Sequence, residues 1–232
     1  MTGILQVSVL VTTISRAHII NTVTDGKILH QAILSIGNTQ AQYIRIAVPA
    51  SATIWTASVA GVAVKPALDA DGRVMVPLQS SSEEFTLELV YMTPLDNSRG
   101  DTIHDRGRLT LDVAPKFEIP INHLFVTVYL PDGFKYSEFH GAIKEVRWFT
   151  STAPTSSVAS SIAYGSYAEP LRGSELNMSS AGIVPVQATI PTTNTAFYFE
   201  QLLVIEQDFV LRVEYKERHK GFFQRRRIGC FS

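Results

Sequence analysis

The side chains able to move protons or hold metals are few and scattered. The six histidines, His18, His30, His104, His123, His140 and His219, include no pair at zinc-ligand spacing, and Cys230 is the single cysteine. Neither a Cys/His zinc site nor an intramolecular disulfide is therefore expected. Acid pairs such as Glu83-Glu84 and Asp69/Asp71 stand beside turn residues, where a solvated cap is the ordinary role and proximity in sequence does not imply a carboxylate dyad. Asp96, Asn97, Asp101 and Asp105 offer hard oxygen ligands of the kind calcium takes, but their spacing fits no EF-hand, and a solvated linker is the simpler reading. There is no G-x-S-x-G elbow, no phosphate-binding P-loop and no G-x-G-x-x-G opening a helix. The sequence reads as a non-enzyme with no catalytic residue, no cofactor and no metal.

Candidates for binding are aromatic and basic instead. Tyr164 and Tyr167 fall in a stretch rich in Ser, Thr, Ala and Gly, free to stack on a sugar, whereas Trp55 and Trp148 fall in strand-like runs and are expected to fill the interior. Arg225, Arg226 and Arg227, beside Phe222 and Phe223, suit docking on an anionic membrane or nucleic acid, with a solvated basic terminus as the blander reading.

The elements that must carry these residues are strands. Ile4 to Ile14 alternates Leu5, Val7, Val9 and Val11 with mostly polar residues and holds no charge; Ala17 to Val23 and Lys27 to Ile36 flank Asp25-Gly26, the signature of a tight hairpin. Tyr43 to Val48 stops at Pro49, Ile54 to Val59 breaks at Gly61, and Asp69-Ala70-Asp71-Gly72 turns the chain into Arg73 to Val76. Phe85 to Tyr91 has the period of two that marks a half-buried strand. Met92 to Gly107 is polar and aperiodic and reads as a linker. Beyond it, strand character returns at Arg108 to Val113, Leu124 to Leu130, Phe134 to Phe139, Ile183 to Ile190, Ala196 to Ile205 and Phe209 to Tyr215.

The second series echoes the first. Val48-Pro49 corresponds to Leu130-Pro131 at an offset of 82, Gly61 to Gly141 at 80, and Phe85–Tyr91 to Phe209–Tyr215 at 124, so about 42 residues are inserted in the second copy. Thr150 to Gly182 holds the insertion and is expected to be an exposed loop that carries the second unit's selectivity. The expected organisation is a first β-sandwich over residues 1–95, a second over 108–215 with the insertion at 150–182, and a basic tail at 216–232.

Composition narrows the setting. The 232 residues are 45% hydrophobic and 18% charged, against about 25% charged in an average soluble domain, which leaves apolar surface available for interfaces. The net charge of −1 supplies no field for nucleic acid. Lys216, Arg218, Lys220, Arg225, Arg226 and Arg227 oppose one acid, Glu217, in the tail; the rest of the chain has 14 basic and 20 acidic residues, a net of −6. A single cysteine and the lack of a signal-peptide pattern favour an intracellular setting, and no run of 18 apolar residues marks a membrane span.

Two groups of residues carry a resemblance. Thr24-Asp25-Gly26-Lys27-Ile28-Leu29-His30, Ile44 to Pro49, Ile54-Trp55, Val64-Lys65-Pro66-Ala67 and Val76-Pro77-Leu78 form the first, and Gly182 to Val186, Ile190-Pro191 and Phe199 the second. Together they resemble a β-rich block of large uncharacterised bacterial and protist proteins, which implies no known activity.

The fold expected is all-β, as two tandem antiparallel immunoglobulin-like sandwiches. The function expected is structural: a protein that forms homo-oligomers, a lattice or a shell through its β domains, with the charge-free Ile4–Ile14 strand as an unguarded edge. The rival is a ligand-binding module, with carbohydrate or protein as its ligand.

Overall fold

The computed structural model describes residues 12–24, 26–38, 41–95, 105–156, 194–205 and 207–218. Among them the chain is strand and turn, without a helix, and runs β1 (Thr13–Thr24), β2 (Lys27–Asn38), β3 (Tyr43–Ala47), β4 (Thr53–Val59), β5 (Val62–Val64), β6 (Ala67–Leu68), β7 (Val74–Pro77), β8 (Ser81–Pro94), β9 (Arg106–Ala114), β10 (Lys116–Phe117), β11 (Ile121–Pro131), β12 (Phe134–Gly141), β13 (Lys144–Val146), β14 (Asn194–Val204) and β15 (Phe209–Glu217). Their local causes are those of the sequence. β1 and β2 are rich in Ile, Val and Thr and meet at a turn where Gly26 takes φ 72°, a value glycine adopts without a Cβ penalty. Asp69 shapes the turn before β7 by accepting from the Asp71 and Arg73 amides at 2.9 and 2.8 Å, the side-chain mimicry that favours Asp in turns.

Three sheets result. The largest has eight strands in the order β13-β14-β11-β1-β2-β8-β4-β5, a second is β10-β3-β7-β6 and a third is β12-β15-β9. One pairing scheme occurs twice. In the first half β8 lies between β2 and β4 while β3 pairs with β7; in the second β15 lies between β9 and β12 while β11 pairs with β14, all antiparallel. The offset that aligned Phe85–Tyr91 with Phe209–Tyr215 thus falls on strands of equivalent rank, β8 and β15, while Val48 lies just past the end of β3 and Leu130 near the end of β11.

The halves are not held only by the segment between β8 and β9. β1 pairs with β11 in parallel, Ile14 opposite Ile121 through Thr22 opposite Tyr129, and β10 pairs with β3. The expectation of purely antiparallel, separate sheets is corrected on this point: periodicity encodes which residues are extended and which face is apolar, but not which strand lies alongside. Met92 to Pro94 and Arg106 to Gly107, read as linker, extend β8 and β9. Ile14 belongs to a central strand, flanked by β2 and β11, so the part of the Ile4–Ile14 run that is described does not lie at an edge; residues 4–11 lie outside the described residues.

One face of the large sheet packs into the main core. Ala17, Ile19, Leu34, Leu87, Leu89, Leu124 and Val126 are fully enclosed there together with Ile44, Val74, Leu111 and Val213 of the smaller sheets. Burial of each large aliphatic contributes roughly 1.5–3 kcal/mol. Sheet β12-β15-β9 stacks on β14 through rings: Phe139 lies 4.7 Å from Phe197 and 5.5 Å from Phe199. The opposite face of the large sheet is more polar and carries its own buried residues, Ile33, Val90 and Phe125 beside Glu88 and Glu200.

Candidate interaction surfaces

The polar face of the large sheet is crossed by a strap, Phe149 to Ser156, that runs over five strands, from β14 to β8. Phe149 seats it, packing at 5.0–5.5 Å on Phe125, Tyr198 and His18. The Thr150 amide donates to Glu200 Oε2 at 3.1 Å and its hydroxyl to Oε1 at 2.5 Å, while His123 Nε2 donates to the same carboxylate. Farther along, Arg16 donates to the Thr152 carbonyl at 3.4 Å, His18 Nδ1 to the Pro154 carbonyl at 3.2 Å, and Ser156 Oγ to Glu88 Oε2 at 2.6 Å. The register explains the spread: Phe125, His18, Ile33 and Glu88 stand side by side on adjacent strands, with Glu200 opposite Phe125. Burial alone would raise the Glu200 pKa, but the Thr150 hydroxyl and amide and His123 outweigh it and hold the carboxyl below its ordinary range. His18 is pushed down by burial, opposed in part by the Pro154 carbonyl.

Ser151, His123 and Glu200 stand in the order of nucleophile, base and orienting acid. The Ser151 Oγ to His123 Nδ1 distance is 3.4 Å, beyond the reach of about 2.6–3.2 Å that proton transfer needs, and Glu200 is already engaged twice by Thr150. The array acts as a clasp for the strap. A second polar cluster is entirely internal. Asn21 Nδ2 donates to the Val113 carbonyl at 2.9 Å, so its Oδ1 accepts from His30 Nδ1 at 2.7 Å and His30 Nε2 accepts from the Thr93 hydroxyl at 2.8 Å. His30 also stacks on buried Tyr91 at 4.5 Å. Burial lowers the His30 pKa to about 4, so the ring is neutral and structural. Among the described residues no group of three or more His, Cys, Asp or Glu side chains is arranged to hold a metal ion.

The sheet edges differ in protection. β13 carries Lys144 and Glu145, β10 carries Lys116, β9 carries Arg106, Arg108 and Asp112, and β12 carries Lys135 and a register shift between Ser137 and His140; charges and bulges of this kind keep an edge from pairing with another chain. β5 (Val62-Ala63-Val64) and β6 (Ala67-Leu68) have neither. Val62 and Leu68 are each 67% exposed, and Lys65 and Pro66 stand between the two edges rather than on them. Beside them opens an apolar cleft of about 330 Å³ lined by Pro49, Ala52, Ile54, Ala67, Leu68 and Val74.

At the end of β14 a second apolar group projects, with Leu202 69%, Leu203 63% and Ile205 59% exposed while Val204 between them is buried. Leu203 has φ 49°, a left-handed conformation that L-residues with branched bulk rarely adopt. It shifts the alternation by one residue, returning Val204 to the interior and leaving its neighbours in solvent.

Trp55 and Trp148, expected inside, are 48% and 73% exposed. Trp55 sits at the register shift between Ile54 and Thr56, where alternation is interrupted, and Trp148 follows the end of β13. Tyr164, Tyr167, Arg225, Arg226 and Arg227 lie outside the described residues, as does most of the 150–182 segment. Its first seven residues are described: Thr150, Ser151, Thr152 and Thr155 are exposed and Pro154 is buried, and Thr150, Ser151, Thr152, Pro154 and Ser156 are tied to the sheet by hydrogen bonds, so that part is a strap laid on the sheet. Sequence reading missed Glu88, Glu200 and the strap because their contacts join residues between 50 and 136 positions apart.

No protein-family model matches the chain, and no curated protein matches it. Among solved structures it is similar to chains of an M1 zinc metallopeptidase from Deinococcus radiodurans, with a TM-score of 0.48 and 12% identity over 87% of this chain and 42% of that one. A variant of that enzyme bound to a Tyr-Ser-Ala substrate and one bound to L-arginine give the same TM-score at 12% and 13% identity. The chain thus spans less than half the length of those structures.

Proposed function

We propose that this chain is a non-enzymatic structural protein that self-associates through its β units into an oligomer or extended assembly. The observation that carries this reading is the asymmetry of edge protection: the edges formed by β9, β10, β12 and β13 carry charges or a bulge, while β5 and β6 carry neither, and Ala67 and Leu68 of β6 line an apolar cleft. The polar clusters favour a structural role, because the His30 and Glu200 networks are paired internally and hold strands and strap in place. In this reading the two β units, residues 1–95 and 108–215, are variations on an immunoglobulin-like sandwich fused through β1 and β11, with 216–232 as a basic extension. Light scattering over a concentration series tests it. The apparent mass is expected to rise above the 25.6 kDa of one chain; a strict monomer at every concentration removes the proposal.

A further inference from the structure

We propose that the strap is an acid-released cover of the large sheet: protonation of His18 frees its Pro154–Ser156 end, while its Phe149–Thr150 end stays clasped on Glu200. The strap is suited to partial release because none of its residues pairs in a strand; the ties described above all run to side chains of the sheet. They fall into two groups. Phe149, Thr150 and Ser151 hold the β14–β11 side, through Tyr198, Glu200, Phe125 and His123. Thr152, Pro154 and Ser156 hold the β1–β8 side, through Arg16, His18 and Glu88.

His18 is the group in the second set that the strap encloses. The Phe149 ring meets it edge-on with centroids 5.5 Å apart, the Pro154 carbonyl lies 3.2 Å from Nδ1 and the Thr127 hydroxyl 2.9 Å from Nε2. On the neighbouring strands it stands level with Phe125 and Ile33. A carbonyl only accepts, so Nδ1 carries the proton of the neutral ring and Nε2 accepts from Thr127. A second proton, on Nε2, would place a cation between two aromatic rings and an isoleucine and turn the Thr127 bond round; with the strap lifted, water solvates that cation instead.

Among the described residues no acid is paired with His18 to hold the cation in place. Arg16, two residues along β1, is itself a cation and faces Glu84 of β8 at 4.0 Å. Glu88 of β8 is engaged by Gln31 and Ser156. His123 of β11 donates to Glu200 of β14, with Lys144 of β13 opposite Glu200 and Tyr198 on the far side of Phe149. The strap has no titratable side chain. Its two ends therefore answer to acid in different ranges. Covered, His18 is pushed below its ordinary 6.5 by burial, against the opposing Pro154 bond; uncovered, it regains that value. Each opening below pH 6.5 thus takes up a proton that the closed strap refuses, and release grows as the pH falls from there. Glu200, which burial raises but Thr150 and His123 hold below the carboxylate range, stays ionised and keeps Thr150. Release uncovers His18, Ile33 and Glu88, which stand side by side on β1, β2 and β8.

Limited proteolysis of the full chain between pH 8 and pH 5 tests this, each rate being divided by that of a free peptide of residues 149–156 so that the protease's own pH dependence cancels. Cleavage between Thr152 and Ser156 is expected to rise several-fold, and by at most about thirtyfold, the limit set by an open-state pKa of 6.5, while bonds in β1 and β2 stay protected. His18→Gln keeps a donor and an acceptor but does not titrate, and its rate is expected to be the same at both pH values. Ser156→Ala, which removes the tie to Glu88, is expected to raise the rate at every pH and leave the rise with acid intact. In the parent chain the His18 ring resonance is expected to titrate with a midpoint below 6.5, a readout that stands even where His18→Gln fails to fold. The proposal is overturned by a parent rate that is flat with pH, an equal rise in folded His18→Gln, loss of the rise in Ser156→Ala, an equal rise of cleavage within β1 and β2, or a His18 midpoint at or above 6.5.

Discussion

His30 is held in one tautomer by two neighbours, and its neutrality makes it a source of pH-dependent stability. The ring pKa falls from 6.5 to about 4 on folding, through burial, so below pH 6.5 the unfolded chain takes up a proton that the folded chain refuses. Stability present above pH 6.5 is thus lost progressively as the pH falls toward 4, by up to about 3 kcal/mol. Glu200, whose folded pKa is lowered, acts in a different window: its contribution is present above the ordinary carboxylate range and is lost only at more acid pH. Urea denaturation at pH 7 and pH 5 is expected to show the His30 loss, and His30→Gln to reduce the difference between the two; an unchanged difference would assign the titration to another group. Glycines divide in the same particular way. Gly61 takes φ 79° in the tight β4–β5 turn, whereas at Gly141 a Cβ would lie 2.8 Å from the Val210 carbonyl oxygen. Gly141→Ala is expected to destabilise the chain by about 1–3 kcal/mol through that backbone contact, read as a lowered midpoint in urea. The matched spacing of the two glycines was legible in the sequence; their different reasons were not.

The strap is an element without regular structure whose order comes from side chains. Its aromatic foot, Phe149, touches three rings, and Thr150, Thr152, Pro154 and Ser156 hydrogen-bond to side chains of three strands: Glu200 of β14, Arg16 and His18 of β1, and Glu88 of β8. Limited proteolysis is therefore expected to spare bonds between Phe149 and Ser156 in the parent chain. Phe149→Ala removes the packing and is expected to raise cleavage within the strap about tenfold, since protection of a local segment reflects its own opening free energy rather than that of the whole fold. Equal cleavage in parent and variant would show that the hydrogen bonds hold the strap without the ring. Composition alone gave a loop here, because Ser, Thr, Ala and Pro carry no period. The partners that fix its path come from β14, β11, β1 and β8.

At the scale of the whole molecule, β1 decides how the halves are joined. It pairs with β2 on one side and with β11 on the other, so the largest sheet contains strands from both halves. A chain nicked between β8 and β9 is accordingly expected to stay together: the two fragments should co-elute in gel filtration and part only in denaturant. Separation under native conditions would mean that the β1–β11 and β3–β10 pairs are too weak to hold the halves without the covalent link.

The sequence by itself determined that the described chain is all-β, where most described strands run, which turns need glycine and that a spacing of prolines, glycines and strands recurs, because these follow from period, β-branching and the limits of φ. Tyr43, Ile54 and Phe209 each lie at or within one residue of a strand start, and the Phe85–Tyr91 run lies within β8. Only the tertiary structure decided that β1 is central, that Trp55 and Trp148 face solvent, that Glu88 and Glu200 are buried under the strap, and that apolar surface is left beside β6 and at the end of β14. Each of these depends on which strands become neighbours, and that is settled by packing and loop closure between residues far apart in the chain, about which local alternation carries no information.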